Sequence, residues 1–222
     1  MDKIIAASDY RELLTLLKSA ECIEELDSLK PLLLSFFPKA AVMLGFDQKN
    51  SAHPYDLWEH CLHTVLNLPR DLEDDMLYLA AFLHDIGKPD CQCRGKREDD
   101  PNMHYYGHPA RSAGILREEI LPTLEAQGIS LSPEEKKRLL YYVEYHDDRV
   151  SHWQKHLNRH LKLVSREEFR NLMLLQVADA KAHVLIPVVE DRIRICQAWA
   201  DTLEVERSEG KVVGLDRGHG RL

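Results

Sequence analysis

The chain has 222 residues, 44% of them hydrophobic and 30% charged, with a formal net charge of −8. That length supports one well-packed core of roughly 150 residues with an appendage, and no apolar run approaches the roughly 20 residues that a membrane span needs. The acidic balance argues against a broad nucleic-acid-binding surface, while leaving room for a small phosphorylated substrate held by a local basic cluster.

The start, Met1-Asp2-Lys3-Ile4-Ile5, has no secretory pattern. Five cysteines, an odd number without framework spacing, fit reduced thiols, so a cytoplasmic protein is expected. Cys91 and Cys93 lie one residue apart without a second pair, which is weak support for zinc. Twelve histidines are unusual in number, but only their positions can carry an argument.

Ser8 is a plausible N-cap for a helix over 8–19, where Leu13, Leu14, Leu16 and Leu17 recur at helical spacing. Helical segments continue from Cys22 to Phe37 and from Pro38 to Phe46, with Pro31 suited to a first turn. Residues 1–50 are therefore expected to form a helical lead-in packed on the core. Asn50 to Tyr55 reads as a loop. A helix from Asp56 to Leu68 carries an apolar stripe of Leu57, Cys61, Val65 and Leu68, with His60, His63 and Thr64 beside it.

The central helix spans 71–86. Met76 to Leu83 is apolar or aromatic throughout, which marks a buried helix, and His84 and Asp85 follow before Gly87, Lys88 and Pro89. Gly87 to Gly107 reads as a long loop or small hairpin with a charged cluster from Arg94 to Asp100. His108 to Leu121 is helical and Pro122 is expected to close it. Ser132-Pro133-Glu134-Glu135 is a helix start, and that helix extends to His146. A basic, His-rich helical stretch covers Val150 to Leu163. Ser165 to Glu168 fits a capping box and opens a helix through Ala182. The last long helix covers Pro187 to Val205, and the Gly-rich, charged tail from Ser208 is expected to fray. Without strand-like alternation of any length, the expected fold class is all-α, with a main domain over 51–206 and a flexible tail over 207–222.

His60, His84, Asp85, His108, His146 and Asp179 each sit at the edge or interior of an otherwise apolar helix. Buried ionisable groups need partners or a metal, and Asp179, within Met173-Leu-Leu-Gln-Val-Ala-Asp179-Ala, is the sharpest case. For each residue alone a structural reading stands beside the functional one: a helix-end pair of Asp85 with Lys88, a satisfied core histidine, or an Arg/Lys pair for Asp179. Taken jointly they form a nitrogen and oxygen donor set. Such a set suits Mn, Fe, Ni, Co or Zn, and one rich in carboxylate and water leans to Mg.

The order His60, then His84-Asp85 with Ile86-Gly87-Lys88-Pro89, then Tyr106-Gly107-His108, His146 and Asp179 resembles the HD superfamily of metal-dependent phosphohydrolases. Within it, Trp58-Glu59-His60 and Tyr106-Gly107-His108 are similar to segments of the HD domain of tRNA nucleotidyltransferases, the CCA-adding enzymes. The resemblance covers about 55–185 and implies an HD-domain helical bundle binding one or two divalent metal ions. By the resemblance, His60, His84, Asp85 and Asp179 hold the first metal, and His108 and His146 complete a second with Asp85 bridging. It also makes Asp85 and Lys88 the catalytic residues, with Lys88 on the substrate phosphate or the leaving group. Arg111, one turn into the helix after His108, is a further phosphate-contact candidate, and Arg94, Lys96 and Arg97 form either a lid or a solvated charge run. His63 rivals His60 as a ligand, and His104 rivals His108.

The chain departs from the resemblance in lacking a nucleotidyltransferase head and the Gly-Tyr-Pro extension of cyclic-di-GMP phosphodiesterases. It also has no acid after the motif where the superfamily's deoxynucleotide 5′-nucleotidases carry one. The expected function is phosphoester hydrolysis on a phosphorylated small molecule, a nucleotide or an RNA 2′,3′-cyclic phosphate end. The alternative is a metal-containing nucleotide- or partner-binding module without turnover. Oligomeric state is left open.

Overall fold

The computed structural model describes residues 7–149 and 153–216. It is all-α apart from one two-stranded ribbon. The lead-in holds α1 (Ala7–Ser19), α2 (Ile23–Ser28), α3 (Lys30–Phe36) and a 3₁₀ turn at Pro38–Met43. In α1 the buried residues Tyr10, Leu13, Leu14 and Leu17 follow the spacing of one helix face. Tyr10 and Phe36 meet edge to face, and Phe37 reaches Phe82 at a ring-centroid distance of 6.3 Å, tying the lead-in to the central helix.

Asp56 caps α4 (Leu57–Leu66) by accepting from the Glu59 backbone N–H. The Trp58 indole donates to Asp27 of α2 and packs edge to face on Phe82. The central helix, α5 (Asp75–Leu83), buries every residue from Met76 to Leu83. It is apolar all round because α1, α4, α9 and α11 surround it. It begins four residues later than the sequence predicts and ends at Leu83, so His84 to Gly87 form the turn beyond it.

The expected loop or hairpin over 87–107 contains the short α6 (Lys88–Cys91) and an antiparallel ribbon of β1 (Cys93–Arg94) and β2 (Met103–His104). The helix from His108 does not close at Pro122. Helix α7 (His108–Ile115) passes through a π-helical turn at Leu116–Ile120 into α8 (Leu121–Ala126), whose first turn contains the proline. A proline ends an α-helix by removing an N–H and crowding the preceding turn; at the start of a new α-helical register after a wider turn the missing N–H breaks no α-helical bond and the ring has room.

Capping boxes open α9 (Pro133–Tyr145) at Ser132/Glu135 and α11 (Arg166–Lys181) at Ser165/Glu168, the latter as the sequence predicts. Helix α10 (Trp153–His160) lies between them, and the start of the stretch predicted from Val150 falls outside the described residues. Helix α12 (Pro187–Asp216) packs along α11 and continues past the predicted end near Val205. Gly210 and Gly214 lie within it, each an internal glycine costing about 1 kcal/mol. Helix α12 thus runs to Asp216 through part of the stretch expected to fray, and 217–222 lie outside the described residues. No helix among the described residues is long and apolar enough to cross a membrane.

Gly87 fixes how closely α7 approaches the turn after α5. Its N–H donates to Ser112 Oγ at 2.9 Å, and a Cβ there would lie 2.6 Å from the Ser112 backbone nitrogen. Gly87→Ala must therefore push α7 away, at a cost of about 1–3 kcal/mol of overpacking. Urea denaturation should show that loss, and an unchanged midpoint would contradict the close approach.

Candidate metal centre

Six elements end, begin or pass at one point. Helix α4 supplies His60, the turn after α5 supplies His84 and Asp85, and α6 begins with Lys88. His108 is the first residue of α7, His146 follows the last residue of α9, and Asp179 lies near the end of α11. All seven side chains are buried, Asp85 at 2% exposure.

Asp85 divides its two oxygens. Oδ2 lies 3.1 Å from His84 Nε2 and 3.4 Å from His60 Nε2, whereas Oδ1 lies 3.0 Å from His108 Nε2 and 3.3 Å from His146 Nε2. Asp179 Oδ1 approaches the first pair, at 3.1 Å from His60 Nε2 and 3.7 Å from His84 Nε2. Lys88 Nζ lies 2.7 Å from Asp85 Oδ2 and donates to Gln48 Oε1 at 2.8 Å.

The tautomers follow from the backbone. His84 Nδ1 meets the Ala81 carbonyl at 2.9 Å, His108 Nδ1 that of Tyr105 at 2.8 Å, and His146 Nδ1 that of Val143 at 2.7 Å. A carbonyl only accepts, so each Nδ1 carries the proton and each neutral ring presents a lone pair at Nε2. Those lone pairs face carboxylate oxygens and one another: His108 Nε2 and His146 Nε2 are 3.1 Å apart. His60 Nε2, His84 Nε2 and Asp85 Oδ1 are buried without a hydrogen-bond partner. Acceptors converging on acceptors need protons or cations between them. Imidazoles oriented by backbone carbonyls are the common setting for metal ligation. The donor set therefore fits a divalent metal, with His60, His84, Asp85 and Asp179 able to hold one ion and Asp85, His108 and His146 a second.

The electrostatics agree. Burial alone would raise the Asp85 carboxyl, but His84, Lys88 and His108 outweigh it and hold the group well below the usual carboxylate range. Asp179 is held low in the same way, with His183, His60, His84 and Arg192 offsetting its burial. Burial pulls His84 down, yet Asp85 more than reverses that and raises it well above its ordinary value. His146 goes the other way, lowered chiefly by burial. The proton that Asp85 draws to His84 competes with a metal for the same nitrogen, so metal affinity must fall as pH falls.

The two rivals stand elsewhere. His63 stacks on Tyr55 at 4.0 Å, and His104 is hydrogen-bonded to Asp100 at 2.9 Å at the cavity rim. Arg111 does not reach the centre: it donates to Asp90 at 2.7 Å, lies 3.7 Å from Glu118 and takes no part in the cavity wall. Arg97 pairs with Asp99 in the solvated loop, and Arg94, Lys96 and Arg97 are all absent from the wall.

Four residues around the centre carry no strong sequence signal. Gln48 meets Lys88 from the loop after the lead-in. His53 and His183 gather round His60, with ring centroids 5.3 and 5.0 Å from it. His183 follows Asp179 by four residues, just past the end of α11, and its Nδ1 meets the Asp179 carbonyl at 2.9 Å, so the spacing is a usable signal; His53 lies in a loop without periodicity. Arg192 of α12 donates to the His146 carbonyl at 2.9 Å and lies 3.4 Å from Asp179 Oδ2. A separate group of Asp148, His156 and His160 already has Arg159 against Asp148.

Above the centre opens a cavity of about 630 Å³, floored by Asp85, Lys88, His108, His146 and Asp179. That volume suits a substrate larger than phosphate itself.

The HD domain family model matches residues 51–182 of this chain. No curated protein and no solved structure matches it.

Added Mn²⁺ should stabilise the protein by about 2.7 kcal/mol at a hundred times its Kd, or about 5–10 °C in Tm for a chain of this size. EDTA should reverse the shift, Asp179→Asn should reduce it, and it should shrink between pH 7.5 and pH 5. Differential scanning calorimetry reads all three; a shift indifferent to Asp179→Asn and to pH would place the ion elsewhere.

Proposed function

The chain belongs to the HD domain family, and we propose that it is a metal-dependent phosphohydrolase acting on a nucleotide or an RNA 2′,3′-cyclic phosphate end. The observation that carries this reading is the division of Asp85, whose two oxygens each serve a separate pair of lone-pair-bearing imidazoles at the floor of one cavity. A divalent ion bound there lowers the pKa of water to give a nucleophile at neutral pH and polarises the phosphoryl oxygens.

The chain's own groups do the rest. Asp85 stays ionised at neutral pH, so it accepts a hydrogen bond from the attacking water and orients it. The Lys88 ammonium, anchored by Gln48 beside Asp85, lies where charge develops on the phosphoryl group and offsets it. The RNA end is proposed only from the resemblance of Trp58-Glu59-His60 and Tyr106-Gly107-His108 to segments of tRNA nucleotidyltransferases, and the net charge of −8 favours a small substrate over a long duplex.

One observation favours a second reading, a metal-containing nucleotide- or partner-binding module without turnover. The Lys88 ammonium lies 2.7 Å from Asp85 Oδ2, and a carboxylate oxygen already paired with an ammonium orients an attacking water less well.

The purified chain with Mn²⁺, Ni²⁺ or Mg²⁺ should hydrolyse p-nitrophenyl phosphate or its bis-ester. Asp85→Ala should abolish turnover with an unchanged circular dichroism spectrum, and Lys88→Met should lower kcat by roughly 10²–10³-fold, the scale of losing one transition-state donor. Retained turnover in Asp85→Ala would reject this mechanism, and metal binding without turnover on a broad substrate panel would favour the second reading.

A further inference from the structure

The cavity floor accounts for a phosphate, but the mouth is built for something else. Tyr106 is 60% exposed at the rim, and its ring lies parallel to His104, with centroids 5.3 Å apart and 7° between the planes. His104 is fixed from behind, its Nε2 hydrogen-bonded to Asp100 at 2.9 Å and its backbone paired with Cys93 in the ribbon. An exposed aromatic ring thus rests on a second, anchored ring. Gly107, at φ +79°, turns the chain in the left-handed region between Tyr106 and His108. Two residues in one short segment therefore serve the mouth and the floor.

The facing part of the rim is aliphatic. The segment leading into α12 leaves Ile186 41% and Val188 64% exposed, and both line the same cavity with Val189. A cation or an inorganic phosphate uses none of these surfaces. Apolar groups left in water around a polar floor mark a place where a ligand buries a flat apolar part.

We propose that this mouth is a nucleobase subsite, in which the base stacks on Tyr106 while its phosphate lies against the Lys88 ammonium on the floor. Stacking on an aromatic face takes any base, so the subsite selects nucleotides over sugar phosphates without strong selection among bases. This rests on the phosphate-binding part of the reading above, and it assigns to Tyr106 a role separate from the metal ligands.

Calorimetric titration of the full, Mn²⁺-loaded chain tests it with two non-hydrolysable probes, a methylenephosphonate analogue of adenosine 5′-monophosphate and the matching ribose phosphonate without the base. The base should tighten binding by about 5- to 100-fold. Tyr106→Ala should bring the ratio of the two affinities towards one, and Tyr106→Trp should keep it. A ratio near one in the unaltered chain, or a ratio unmoved by Tyr106→Ala, would overturn the subsite. Hydrolysis, measured separately on the same protein, keeps the two ideas distinct. A high ratio without turnover leaves the subsite standing and removes the phosphohydrolase reading, and turnover with a ratio near one does the reverse.

Discussion

A carboxylate taken out of water must be met by positive charge or hydrogen-bond donors, and Asp85 is 2% exposed. Everything near it follows from that requirement. Imidazoles from four separate elements and the Lys88 ammonium converge on its two oxygens. The three imidazoles whose Nδ1 atoms meet backbone carbonyls present lone pairs rather than protons in their neutral form. The arrangement therefore satisfies Asp85 only when protons or cations lie among those nitrogens. A divalent ion supplies more charge at that point than a proton and asks for the same geometry.

The fold is the means of holding that geometry. Helix α5 is apolar on every side so that α1, α4, α9 and α11 can enclose it, and its C-terminal end delivers His84 and Asp85 into their midst. Gly87 lets α7 come against the turn, which brings His108 to Asp85. Trp58 and Phe37 bind the lead-in to Phe82 in the last turn of α5, just before the site. Large buried rings on one side of α5 and the polar centre at its end are parts of one packed unit, so shifts in the core are expected to reach the ligands.

Much of this was legible because burying polar residues leaves a mark in sequence. An Asp or His inside a Leu/Val/Ala run contradicts its surroundings, and His60, His84, Asp85, His108, His146 and Asp179 all meet at the centre. Residues whose role depends on tertiary approach left no such mark. Gln48 and His53 lie in loops, and Arg192 lies on a helix whose periodicity says nothing of α11 beside it. Arg111 shows the converse: it follows His108 by three residues in sequence, yet packing sets it against Asp90 and Glu118. Pro122 misled because a π-helical turn cancels the conflict that normally ends a helix at proline, and that turn is a property of the backbone rather than of any residue type. The order of helices and the donor set follow from local pattern, whereas the cavity wall follows from packing.

The central claim is that the converging lone pairs around Asp85 hold a metal. Anomalous diffraction from crystals grown with Mn²⁺ tests it most directly. The account predicts a peak among His60, His84, Asp85 and Asp179, with any second peak lying between Asp85, His108 and His146. A map without anomalous signal at either place, with Lys88 still against Asp85, would contradict it.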